Sequence, residues 1–222
     1  MSIRKVNFVE GEYYHIYNRG NSKQRIFHND EDYKRFIELL YISNSNINFN
    51  LFDLKRNFHF NVFSVENKNR IVALGAYCLM PNHFHLLITQ IEEGGITKFM
   101  QKLSTAYSMY YNRKYRRTGS LFEGKFKSEH INKERYLKYI FSYIHLNPVK
   151  LIQKNWKEEG IRDKKQVINF LNNYNYSSYL DFWVVSEKRK ESIILNKDLF
   201  PEYFNRSKDF QNEIMEWLSF KD

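Results

Sequence analysis

Two apolar runs, Ile71 to Met80 and Phe84 to Gln90, stand almost end to end, joined through Pro81-Asn82. Short apolar runs bounded by turn residues read as buried strands, and so short a connection makes them antiparallel neighbours. The second run is introduced by His83-Phe84-His85. Residues i and i+2 of a strand point to the same face, so two imidazoles stand side by side on an otherwise hydrophobic strand. That pairing suits one divalent metal ion better than it suits a core. An isolated HxH is more often a pair of histidines without chemistry, and two imidazoles are an incomplete metal site. The rest of the chain has to supply another ligand and a reaction.

The flanking elements fall into a regular order. Glu12 to Tyr17 is rich in aromatic and β-branched residues and stops at Asn18-Arg19-Gly20-Asn21, which reads as a strand and a turn. A helix follows, capped by Asn29 or Asp30, with Tyr33, Phe36, Ile37, Leu40 and Tyr41 at helical spacing. The Asn-rich stretch from Asn44 to Asn69 reads as a loop with an extra strand or hairpin over Phe58 to Phe63. After the paired strands, Phe99, Leu103, Tyr107 and Tyr110 predict a helix from Ile96 to about Tyr111. Leu121 to Ile131 fits a fourth strand, and Asn132 an N-cap for a helix from Lys133 to Leu146 that Pro148 stops. The order β-α-β-β-α-β predicts an α+β, ferredoxin-like antiparallel sheet with helices on one face. One further helix then lies against the face that carries His83 and His85. The expected division is a catalytic domain over residues 1–152 and a mainly helical C-terminal extension over 153–222 packed on it. In that extension, Lys165 to Tyr174 and Phe210 to Phe220 read as helices and Tyr176-Ser177-Ser178-Tyr179 as a turn.

Charge narrows the partner. The 222 residues carry a formal net charge of +10 and a pI near 9.4, which points to a polyanion, with nucleic acid foremost. A single cysteine, Cys78, cannot form an internal disulfide and fits a reducing compartment. Met1 to Lys5 lacks the apolar core of a signal peptide, and no segment approaches the ~20 apolar residues that span a bilayer. The chain reads as cytoplasmic, with no membrane partner.

On the helix from Lys133 to Leu146, Tyr136, Tyr139, Tyr143 and the following Asn147 fall on or near one face. An aromatic stripe of this kind is more often a packing face. The polar residue at its end argues for a site, because a tyrosine and an amide oxygen one turn apart can both be presented to a metal held by two histidines. Such a set suits phosphoryl transfer at a nucleic-acid backbone. Mg²⁺ or Mn²⁺ would polarise the phosphate, and Tyr143 would attack phosphorus to form a phosphotyrosine. Between Gln101 and Lys127, the bases Lys102, Arg113, Lys114, Arg116, Arg117, Lys125 and Lys127 are interleaved with aromatics and opposed by one acid, Glu123. Cations neutralise phosphates and aromatic faces stack unpaired bases, although each cation taken alone fits a solvated helix end equally well. His28 and His59 read as surface or loop residues, and His15 as a structural strand residue or a site residue. His130 has no assigned role. His145 is left out of the site because it points about 100° per residue away from Tyr143 and Asn147.

Four blocks, Glu12 to Asn21, Cys78 to Leu87, Arg116 to Lys127 and Tyr143 to Lys150, resemble in their order the motif blocks of the single-tyrosine HUH transposases, and among these most closely the REP-associated tyrosine transposases. The resemblance spans roughly residues 8 to 150. It implies that His83 and His85 are the metal-binding pair, with Phe84 as the hydrophobic middle residue, and that Tyr143 is the catalytic tyrosine four residues before the Asn of an Asn-Pro pair. Asn147 stands where related insertion-sequence enzymes place a Gln that completes the metal site. Arg19 and Asn21 fall in the family's Asn-Arg-Gly-Asn block, where they hold DNA or shape the site, and Arg113, Arg116, Arg117, Lys125 and Lys127 are the further DNA-binding candidates. The resemblance also implies a Mg²⁺- or Mn²⁺-dependent prokaryotic, nucleoid-associated enzyme. Such an enzyme cuts single-stranded DNA near hairpin-forming palindromes, attaches to the 5′ phosphate and leaves a free 3′ hydroxyl. Either a monomer or a homodimer fits, since insertion-sequence relatives exchange tyrosine helices and REP-associated ones can assemble the site within one chain. The sequence departs from the family in the length of its Asn44 to Asn69 insertion and in having Tyr174-Asn175-Tyr176 where a tryptophan-containing motif is usual before Ser-Ser-Tyr. Two competing readings are a catalytically silent hairpin-binding module in which Tyr143 merely packs, and a metal-dependent RNA phosphodiesterase. A lone HxH without a second copy argues against the latter.

Overall fold

The structure, a computed structural model, describes residues 7–46, 61–64, 66–183, 189–202 and 206–219. Four strands, β1 (Tyr13–Arg19), β2 (Val72–Met80), β3 (His83–Gln90) and β4 (Lys127–Ile131), form one sheet in the order β2-β3-β1-β4. Every pairing is antiparallel. Helices α1 (Asp30–Ile42) and α2 (Gly95–Lys114) follow β1 and β3, and α3 (Glu134–Leu146) follows β4. This is the expected α+β architecture, with the strand order that a split βαβ arrangement generates.

Alternation along the strands separates the two faces. Phe84 turns toward α1 and α2, where Phe36 lies 5.0 Å from it and 4.9 Å from Tyr107, ring centre to ring centre. His83 and His85 turn the other way, toward α3. The amphipathic logic of α3 is plain: Leu137, Ile140, Phe141 and Ile144 are buried, and the sheet under them is the hydrophobic stripe's partner.

Several boundaries differ from expectation. Asn29 caps α1, its side chain accepting from the Asp32 N–H at 3.3 Å. Lys133, not Asn132, occupies the N-cap of α3 and makes no side-chain cap. The fourth strand is shorter than predicted, beginning at Lys127, because the backbone of the preceding segment is bonded around the end of β1 and not along it. Residues 121–124 wrap the end of β1: Asn21 N–H donates to the Leu121 carbonyl, Glu123 N–H to Arg19, and the Asn18 amide to Gly124. His59 and most of the strand or hairpin expected over Phe58 to Phe63 lie outside the described residues, and Val62–Ser64 is a 3-10 turn.

All nine residues of β2 are buried although β2 ends the sheet, and an open apolar edge invites aggregation. The C-terminal extension covers it. Leu79 N–H donates to the Tyr176 carbonyl, Ser178 N–H to Tyr77 and Asn196 N–H to Leu74, each at 2.9 Å. The stretch expected as a turn, Tyr176 to Tyr179, therefore pairs with the edge in part. At the bulge beside Leu74, Phe200 packs so closely on Gly75 that a Cβ there would meet its ring at 2.6 Å. Beyond α4 (Trp156–Glu159), α5 (Lys164–Asn172) and α6 (Tyr179–Trp183), the last helix is α7 (Ser207–Ser219). Among the described residues no helix is long and apolar enough to cross a membrane.

His145 belongs to this framework and not to the site. It is fully buried on α3, its Nδ1 bonded to the Phe141 carbonyl at 2.9 Å and its Nε2 2.8 Å from Ser178 Oγ. Burial lowers its pKa from 6.5 to about 3. Below pH 6.5 the unfolded chain takes up a proton that the folded chain refuses until about pH 3, so this group's contribution to stability is lost as pH falls. His145→Gln should cost about 1–3 kcal/mol near neutral pH, and the gap to wild type should narrow as the pH is lowered. Urea unfolding at two pH values measures it; a gap independent of pH would show that His145 is not held neutral.

Candidate active site

Three strands and one helix meet at the site. Pairing of β1 with β3 sets Tyr17 opposite His85 and Arg19 opposite His83, while pairing of β1 with β4 sets His15 opposite Glu129. His83, His85, His15, Tyr17 and Glu129 therefore line the sheet face below α3. The rings of His83 and His85 are 5.0 Å apart and perpendicular. His15 Nε2 lies 2.9 Å from His85 Nδ1. Tyr143 of the same chain stands edge-on to both, 5.4 Å from His85 and 6.0 Å from His15 between ring centres. The tyrosine thus reaches His85 and His15 of its own chain.

Tyr136, Tyr139 and Tyr143 are half-buried and form a near-parallel series along the flank of α3, each ring 6.0 Å from the next. The stripe is neither core nor surface. Asn147 begins the 3-10 turn Asn147–Leu151 and is 1% exposed, with both amide atoms unpartnered. Its amide lies beside His83 and Tyr143, close enough to influence both.

Hydrogen bonding and burial hold the imidazoles in their neutral form. The Asn82 amide donates to the Lys23 carbonyl, which turns its Oδ1 to His83 Nδ1 at 2.7 Å. An amide oxygen only accepts, so Nδ1 carries the proton and Nε2 the lone pair. Burial, helped by the Lys150 cation and opposed by Asn147, lowers the His83 pKa to about 4. His85 is held well below its ordinary value by burial and then by His83, His15, Lys150 and Lys157. Both rings are therefore neutral at physiological pH. His85 Nε2 is buried without a partner, as are Asn147 Oδ1 and Nδ2. A buried unpaired polar atom costs about 1–3 kcal/mol, and three of them lie together here. Among the described residues no group of three or more His, Cys, Asp or Glu side chains could hold a metal. The donors that fit are two imidazoles and one amide oxygen, an open set that leaves room for substrate.

Tyr143 sits among cations. Burial raises its pKa, against the pull of Asn147. Lys157 Nζ is 4.3 Å and Lys150 Nζ 5.6 Å from its ring centre. Neither lysine was singled out in the sequence; Lys150 follows Asn147 by three residues, a usable signal, whereas nothing local marks Lys157. Glu129 likewise carries no local signal, whereas His15 reads from sequence as either a structural strand residue or a site residue. A cleft of about 310 Å³ runs from Tyr143 past Tyr139 and Lys157 to Trp217 of α7.

The expected DNA-binding residues divide into groups. Arg19 is held by the Glu123 carboxylate, with Nη2–Oε1 at 2.8 Å, so it shapes the site from beside His83. With Tyr17, Lys125 and Lys127 it lines a second cleft of about 100 Å³. Lys125 and Lys127 are exposed there. Asn21 is exposed and its backbone fastens the 121–124 segment. Arg113 and Arg116 are exposed at the end of α2, while Arg117 stacks over Tyr111 at 5.6 Å. The contact of Arg117 is with that helix and not with the histidines.

The site is thus an antiparallel sheet that presents paired imidazoles beneath a helix bearing a row of tyrosines. The family described as "Transposase IS200 like" matches residues 8–147, more than half of the chain, and the chain belongs to that family. No curated protein matches it. A solved structure of a REP-associated tyrosine transposase bound to a REP hairpin is similar over 86% of this chain and 90% of that one, at 12% identity and a TM-score of 0.49.

The unpartnered amide leads to a testable trade. Asn147→Leu should stabilise the protein by about 1–3 kcal/mol, because two buried unpaired atoms disappear, and should weaken whatever Mn²⁺ binding the wild type shows. Urea unfolding and a Mn²⁺ titration measure both; a destabilised variant would mean that the amide is already satisfied.

Proposed function

We propose that the chain is a Mg²⁺- or Mn²⁺-dependent single-stranded DNA endonuclease and strand transferase of the REP-associated type, acting at hairpin DNA through a covalent 5′-phosphotyrosine. The observation that carries this reading is Tyr143 against His85 within one chain, 5.4 Å apart, beside unpartnered His85 Nε2 and Asn147 Oδ1. His83, His85 and Asn147 would hold the ion, which when bound supplies charge stabilisation at the non-bridging oxygens of the scissile phosphate. Tyr143 Oη attacks phosphorus, the Oη–P bond forms as the P–O3′ bond breaks, and the phenol proton ends, by way of water, on the departing 3′ oxygen. Lys150 and Lys157 favour the phenolate as it forms. Rejoining is the reverse attack by a 3′ hydroxyl on the phosphotyrosine.

The surroundings suit an unpaired strand. Tyr139 and Trp217 offer ring faces in the larger cleft, with Lys157 and Arg135 for phosphates, the combination that holds single strands without reading sequence. Lys125 and Lys127 serve the smaller cleft.

A second reading keeps the DNA and removes the chemistry: the burial that raises the Tyr143 pKa would suit a tyrosine that only packs. Incubation with hairpin single-stranded DNA and Mn²⁺ separates the two on a denaturing gel. The wild type should form a covalent adduct and Tyr143→Phe none, with hairpin affinity within about twofold of wild type, since the phenol oxygen contributes to chemistry more than to binding. Folded wild-type protein that binds hairpins yet never forms an adduct would establish the silent module. In a separate measurement, Lys125→Ala with Lys127→Ala should weaken binding and reduce the slope of log K against log salt by roughly 0.7 for each phosphate left without its cation; an unchanged slope would place both lysines away from the DNA.

A further inference from the structure

We propose that His15 and Glu129 are positioning residues that fix which nitrogen of His85 carries its proton, leaving Nε2 free as a metal ligand. The inference rests on the metal reading above for its purpose, but its structural content stands on the sheet alone.

Adjacent strands β3, β1 and β4 each contribute one member of a line across the sheet: His85, His15 and Glu129. His85 Nδ1 and His15 Nε2 are 2.9 Å apart, so one of the two must carry a hydrogen and the other a lone pair. His15 Nδ1 lies 3.6 Å from Glu129 Oε2. That separation is longer than a hydrogen bond, and the contact acts as charge on dipole.

Two proton arrangements are available. In the first, His85 Nδ1–H donates to His15 Nε2, His15 carries its own proton on Nδ1, facing the carboxylate, and His85 Nε2 presents a lone pair to the space beside Asn147. In the second, His15 Nε2–H donates to His85 Nδ1. His15 Nδ1 then turns a lone pair on a carboxylate, and His85 Nε2–H becomes a buried donor with no acceptor, since nothing lies within bonding distance of that atom. Only the first gives each proton a favourable neighbour. Glu129 is itself held as an acceptor, with Tyr17 Oη donating to Oε1 at 3.2 Å and Tyr136 Oη to Oε2 at 3.0 Å. His15 is 4% exposed and the Glu129 side chain 45%, so a carboxylate that stays solvated orders a buried pair without itself bearing a desolvation cost. Partners that orient a ligating histidine in this way typically change metal affinity 10–100-fold.

The test combines ¹⁵N NMR of the histidine rings in metal-free protein, at a pH where they are neutral, with Mn²⁺ titration by EPR. The wild type should show His85 protonated on Nδ1. Glu129→Gln should populate the other tautomer, and His15→Leu should weaken Mn²⁺ binding about 10–100-fold. His15→Gln, whose amide oxygen can still accept from His85 Nδ1–H, should restore most of the affinity, which a purely packing role for His15 would not allow. His85 protonated on Nε2 in the wild type, or tautomer and affinity unmoved in Glu129→Gln and His15→Leu, would overturn the proposal. A wild type that holds the Nδ1–H tautomer but binds no Mn²⁺ would uphold the ordering and overturn the metal reading instead.

Discussion

The pairing register between β1 and β3 is the constraint on which the rest depends. Tyr17 opposite His85 and Arg19 opposite His83 put the imidazoles under α3. A slip of one residue would send every side chain of a strand to the opposite face, and His83 and His85 would then enter the apolar layer beneath α1 and α2. The register is held at the strand ends, where Gly20 N–H donates to the Asn82 carbonyl and Ile26 and Phe27 N–H donate to Pro81. The same turn that joins the apolar runs also delivers Asn82 to His83, so the hairpin and the orientation of that imidazole share one cause.

The C-terminal extension stabilises what the sheet cannot close for itself. Its backbone bonds to Leu74, Tyr77 and Leu79 cover the edge of β2. Ser178 also accepts from the Tyr77 N–H and reaches His145 on α3, which ties the edge cover to the helix that bears Tyr143. The tyrosine is placed by contacts on two sides: the sheet beneath α3, and the extension beside it, where Trp217 meets Tyr139. Packing of this kind restricts the Tyr143 side chain to a narrow range of positions above the histidines.

Burial at the site has two opposite consequences. It keeps His83 and His85 neutral, with lone pairs available, and it raises the Tyr143 pKa. The same desolvation therefore holds two imidazoles and a phenol alike in their neutral forms, with the Lys150 and Lys157 ammonium groups near the Tyr143 ring. Unpartnered polar atoms on His85 and Asn147 carry a further cost in stability, which an apolar patch of the same shape would not.

Local periodicity carried much of the reading. The HxH spacing places two imidazoles on one strand face because a strand repeats every two residues, and helical spacing aligns Tyr143 with Asn147 because a helix repeats every 3.6. The order of elements and the dismissal of His145 follow from the same periods, and the structure agrees on each. Other features have no local signature. His15 and Glu129 become neighbours of His85 only through pairing across three strands. Arg19 is claimed by Glu123 through a loop that wraps the end of β1, and Lys157 reaches Tyr143 from a different helix. Leu121 to Phe126 reads as the start of the fourth strand, and that its backbone instead wraps the end of β1 shows only in three dimensions. What the amino-acid sequence determined by itself was which side chains share a face of one element. Which faces meet, and so which nitrogen, carboxylate and cation surround the tyrosine, was decided by the tertiary structure, because contacts between distant segments depend on register and packing that no short stretch of sequence contains.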